Sequence, residues 1–228
     1  MIDYYYIVLV LPMVLLAFGA QLMVKTSYSK YSKMANRKGL TGAQAAQALL
    51  RSNGVYDVRI ERVSGELTDH YDPKANVIRL SQGVYDSSSV AAVGIACHEA
   101  GHALQYSSEY APIKLRMTII PICNVASNIA FPLFLIGFIL NFYELALAGV
   151  VAFAVATLFQ LVTLPVEFNA SRRAMETIRS EGLLYDDEAA GARKVLTAAA
   201  MTYVAALAVS LANLLRFVLL LGGGRSRD

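Results

Sequence analysis

Charge and cysteine are both scarce in this chain. Only 16% of its 228 residues are charged, and the net charge of +3 is scattered along the sequence. That excludes a nucleic-acid-binding surface, which concentrates Lys and Arg on one face. The only two cysteines, Cys97 and Cys123, form no C-x-x-C pair. They exclude a disulfide framework and a cysteine-rich metal cluster, and each reads as a small buried apolar residue. Internal repeats and low-complexity tracts are also missing.

What is plentiful is apolar sequence, at 56% of residues. Four runs reach the roughly 20 residues that an apolar helix needs to cross a bilayer. They cover 4–24, 117–140, 145–165 and 199–221. The first lacks a basic leader, carries Asp3 in its place, and is long for the core of a signal peptide, so it reads as a retained span.

Lys and Arg collect in cytoplasmic loops. Lys25, Lys30, Lys33, Arg37 and Lys38 follow the first run, Lys114 and Arg116 precede the second, and Arg172, Arg173, Arg179, Arg193 and Lys194 follow the third. This predicts both termini outside, with 25–116 and 166–198 in the cytoplasm. Arg225 and Arg227 in the tail oppose it and are outnumbered. The expected architecture is a mainly α, integral membrane protein: four transmembrane helices plus a small cytosolic α+β zincin-like region.

Within 25–116, "TGAQAAQALLRSNGV" reads as a helix capped by Thr41 with Gln44 completing a capping box, and ended by Asn53-Gly54. "DVRIERVSG" and "NVIRLS" read as strands, and "LTDHYDPKA" between them as turns. "NVIRLS" could pair internally with "VRIERV" or serve as an edge that takes extended substrate. A helix follows, capped by Asp86 or a later serine, and carries "CHEAGHALQY". Residues 166–198 read as two amphipathic helices broken near Glu181-Gly182.

HEAGH matches H-E-x-x-H. On a helix, residues i and i+4 share a face, so His98 and His102 can point at one metal and Glu99 can act as general base on a water there. The apolar stretch before His98 is too short to span, so the motif belongs to the aqueous region. The third ligand is missing from the motif itself. A metzincin pattern fails because Gln105 and Ser108 stand where Gly and His are required. Glu109 needs a sharp chain reversal, and Glu144 falls on the far side of the membrane. The second and third runs form a hairpin of matched length, which returns Glu167 to the side where the second run began. Glu167 can therefore complete a His2Glu site, although an acid after Pro165 is also what a helix N-terminus selects.

The blocks "LTDHYDP", "VIRLS", "CHEAGHALQY", "YAPIKLR", "FQLVTLPVEFNASRRA" and "VLTAAAMTYVAALA" resemble the YugP-like family of membrane neutral zinc metallopeptidases, across essentially the whole chain. "VEFNASRRA" is also similar to the F-E-F-Q-A-D segment of CAAX-protease and HtpX-like membrane proteases, whose Glu binds zinc. The resemblance implies Zn2+ on His98, His102 and Glu167. Ser171 replaces the Asp of those enzymes and can still hydrogen-bond a ligand histidine.

The expected activity is endopeptidase hydrolysis at the cytoplasmic membrane face of a multi-pass cell-membrane protein. It would act on protein or peptide substrates associated with the bilayer, and not on nucleic acid. His70, Arg172 and Asn169 are candidates to stabilise the oxyanion. The alternative is a zinc-stabilised membrane scaffold, which needs the ligands and no base at Glu99.

Overall fold

A computed structural model describes residues 3–224, so the tail arginines Arg225 and Arg227 lie outside the described residues. Helix α1 is π-helical over Tyr6–Val10 and α-helical over Leu11–Tyr31. It is followed by α2 (Gly42–Ser52), β1 (Arg59–Val63), β2 (His70–Asp72), β3 (Val77–Ser81), α3 (Gln82–Tyr85) and α4 (Val90–Ser107). Three long helices complete the chain: α5 (Ala111–Ile139), α6 (Tyr143–Ser180) and α7 (Asp186–Gly224). Four helices, Tyr6–Tyr31, Ala111–Ile139, Tyr143–Ser180 and Asp186–Gly222, are long and apolar enough to cross a membrane. The chain divides into two compact units, residues 1–20, 115–164 and 202–228 in one, and 21–114 and 165–201 in the other.

In the first unit, large apolar side chains point outward, among them Leu15, Phe18, Ile122 and Val151. Outward apolar surface of this extent suits hydrocarbon. Phe134, Ala146, Val150 and Phe217 pack together inside. Arg216, near the end of the fourth apolar run, is buried, and its Nη2 donates to Asp3 Oδ2 at 2.5 Å. Its guanidinium also lies over the Tyr6 ring.

The second unit holds the sheet and the motif helix. Thr41 and Gln44 form the expected capping box on α2, and Gly54 ends it with a φ of +75° that only glycine adopts freely. The sheet order is β1-β3-β2, with β1 parallel and β2 antiparallel to β3. The segment "LTDHYDPKA" is thus not all turn. Asp72 Oδ1 accepts from the backbone amides of Lys74 and Ala75, closing a hairpin that makes His70–Asp72 a strand. This puts β3 in the centre, so "NVIRLS" is no edge for a substrate strand, and its burial on both faces matches that place.

Ser89 caps α4 by accepting from the Ala92 amide at 3.1 Å. Ile78 and Leu80 of β3, Leu49 and Leu50 of α2, and Val93, Ala96 and Cys97 of α4 share one core with Ile178 of α6 and Val195 of α7. Burial alone pushes the Cys97 thiol well above its ordinary range, which keeps it an inert packing group. The break after α6 falls at 181–185, as expected. Each amphipathic segment, however, is continuous with an apolar run, and Pro165 lies inside α6. Glu167 is therefore not at a helix N-terminus, and the capping explanation for this acid is removed.

Candidate metal centre

α4 and α6 meet where the H-E-x-x-H motif faces Glu167. The close approach depends on Gly101. A Cβ at that position would stand 2.6 Å from the Ala170 carbonyl oxygen, so only glycine lets the α6 backbone come this near. Ala100, the other variable position of the motif, is fully buried in the core.

Among the described residues, one group of His, Cys, Asp and Glu could hold a metal ion: His98, His102 and Glu167, with ligand atoms within 4.8 Å of one another. Glu167 Oε2 lies 3.4 Å from His98 Nε2 and 3.6 Å from His102 Nε2. Donors about 2.0–2.1 Å from a tetrahedral zinc stand about 3.3 Å apart, so the residues fit this ion. Glu167 is only 3% exposed, and a carboxylate so far from water requires compensating positive charge.

Both imidazoles are fixed from behind. His98 Nδ1 is 3.0 Å from Ser171 Oγ, and His102 Nδ1 is 3.0 Å from Gln105 Oε1. That leaves Nε2 of each ring facing Glu167. Burial disfavours a charged His102, but hydrogen bonding to Glu167 and the charges of Glu99 and Glu167 outweigh it, holding His102 above its ordinary pKa. The two carboxylates thus favour positive charge at this position.

Glu99 is buried beside these histidines on α4. Asn169 is buried too, and its Oδ1 accepts from Gln105 Nε2 and Arg173 Nε. Arg172 is exposed, 3.8 Å from Glu176, and lines a cavity of about 630 Å³ with Ser171, Phe168 and Leu196. His70 is exposed at the start of β2, with Nδ1 2.8 Å from the Thr68 carbonyl, and does not join the cluster. Glu109 reverses the chain at φ +52° but pairs with Lys114.

In the sequence Gln105 stands out only as a mismatch to the metzincin pattern, and Arg173 only as one of the basic residues after the third apolar run. Gln105 stands three residues after His102, on the same helical face, which is the signal that could have found it.

A helix bearing two histidines and an acid, with a carboxylate from a second helix, is the donor set of hydrolytic zinc sites. The family model described as "Putative neutral zinc metallopeptidase" matches residues 6–222. The "Putative membrane protease YugP" of Bacillus subtilis (strain 168) is 50% identical over 213 residues, covering 93% of this chain and 95% of that protein. No solved structure matches. The chain belongs to this family of neutral zinc metallopeptidases.

Proposed function

We propose that this protein is a membrane-embedded, zinc-dependent endopeptidase of gluzincin type, with its active site at the cytoplasmic membrane face. The observation that carries the reading is the placement of Glu167 Oε2 within 3.6 Å of both motif histidines. His98, His102 and Glu167 would hold the ion. Zinc, when bound, polarises the scissile carbonyl and makes water a better nucleophile.

Glu99 is the residue assigned to proton movement. One carboxylate oxygen takes the proton of the attacking water, and the same group returns it to the leaving amine. Ser171 and Gln105 keep the ligand imidazoles turned. Of the three oxyanion-donor candidates, His70 lies outside the cluster and Asn169 is buried in the Gln105–Arg173 network, which leaves Arg172, exposed on the wall of the cavity beside Ser171.

The cytoplasmic orientation rests on the basic residues at 25–38, 114–116 and 172–194. Substrates associated with the bilayer follow from Glu167, which lies two residues beyond the third apolar run. The test compares purified wild type with Glu99→Gln on unfolded and membrane-embedded substrates. Wild type should cleave, and the variant should bind zinc without cleaving. Equal cleavage by the two proteins would sink the assignment. Zinc binding without cleavage by either would favour a scaffold.

A further inference from the structure

We infer that Gln105 is a positioning residue that locks the second metal ligand to the third. This rests on the assignment of His98, His102 and Glu167 as ligands. The side chain is fully buried, one of the largest in the molecule with no exposure, and it is polar. A buried primary amide must satisfy both its ends or destabilise the fold.

Its bonds determine their own direction. Nε2 lies 2.7 Å from the Val166 carbonyl oxygen, which can only accept. The amide nitrogen therefore faces Val166, and its second hydrogen goes to Asn169 Oδ1 at 3.0 Å. Arg173 Nε holds that oxygen in place at 2.8 Å. Oε1 is left toward His102 Nδ1, and an amide oxygen cannot donate. His102 must then carry its hydrogen on Nδ1 when neutral, which frees the Nε2 lone pair on the side facing Glu167.

The other end of the same amide holds Glu167. The Val166 carbonyl belongs to the peptide unit whose nitrogen is that of Glu167. One side chain thus fixes both the tautomer of His102 and the backbone from which Glu167 projects. Ser171 does neither: its hydroxyl can donate or accept, so it orients the His98 ring without fixing its tautomer. Helices α4 and α6 are coupled through Gln105, so the ligand set assembles as a unit.

The chain contains only three histidines, which makes nitrogen NMR of the 15N-histidine-labelled, metal-free protein direct to read. In wild type, at a pH above the range in which His102 holds a second proton, His102 should show the Nδ1–H form. Gln105→Met should move His102 toward a mixture of tautomers while His70 and His98 stay put. Zinc affinity should fall roughly 10–100-fold, the usual cost of losing a partner behind a ligand histidine. Gln105→Glu keeps the acceptor and removes both donors, so His102 should retain its tautomer while zinc affinity still falls.

An unchanged His102 signal in Gln105→Met overturns the inference, as does wild-type zinc affinity in either variant. If Gln105→Met does not fold, the Gln105→Glu pair of readings decides alone. Neither measurement uses proteolysis. A zinc-binding protein that cleaves nothing therefore leaves this test intact, whereas a wild type that binds no zinc defeats the ligand assignment itself.

Discussion

Substituting Gly101 by alanine should damage metal binding without touching a ligand. The added Cβ would meet the Ala170 oxygen at 2.6 Å, with the carbonyl carbon and Cα of Ala170 both at 3.2 Å. These are backbone atoms, so no side chain can swing away. Relief to ordinary contact, about 3.5 Å, requires α4 and α6 to part by roughly 0.5–1 Å. Two donors cannot hold one zinc if they are more than twice the bond length apart, about 4.1 Å. The His102–Glu167 separation is already 3.6 Å. The opening consumes that margin.

Overpacking of this kind costs about 1–3 kcal/mol. If zinc must pull the helices back together, the cost falls on binding, a loss of roughly 5–150-fold. The assay is a competition titration with a chromophoric chelator in detergent, beside thermal midpoints of the metal-free proteins. Gly94→Ala is the control. Its Cβ would meet the Ala192 side chain of α7 at 3.2 Å, away from Glu167, so it should affect zinc affinity less than stability. Wild-type affinity and wild-type stability in Gly101→Ala would refute the reasoning.

Glu167→Gln keeps the shape and removes the charge, and should weaken zinc binding by at least tenfold in the same titration. Asp3→Asn should lower the thermal midpoint, since it removes the carboxylate charge beside the buried Arg216, at a cost of up to roughly 3–5 kcal/mol. Adding Arg216→Leu should recover much of the loss, and a double variant no better than the single would argue against the pair. Arg79 beside Asp72, with the Ala75 and Lys74 amides, holds the Asp72 carboxyl below its ordinary range. Its contribution is complete above the unfolded value of about 3.9 and is lost as pH falls through the lower folded value. The midpoint difference between wild type and Asp72→Asn should therefore stay level down to about pH 4 and shrink below it.

The long apolar helices were legible because about 20 apolar residues have few other uses in a protein. The motif helix was legible from its spacing, and Glu167 from hairpin arithmetic. What stayed hidden depends on contacts between distant segments. The 70–72 strand is too short for periodicity to register, and it exists because Asp72 closes a turn onto β3. The central place of β3 follows from that extra partner. Nothing in the local sequence around Pro165 says that α6 runs through it, since a proline can either open a helix or sit inside one. Gln105 sits on the right face, but its role needs the Val166 carbonyl, sixty-one residues away. The contact between Asp3 and Arg216 is not legible either, because the sequence does not display a separation of 213 residues as proximity.

That pair also sets an order of events during synthesis. Arg216 is made 213 residues after Asp3, within the fourth apolar run. The first helix therefore cannot gain this contact until the fourth run has been synthesised, and a chain stalled or truncated before that run lacks it.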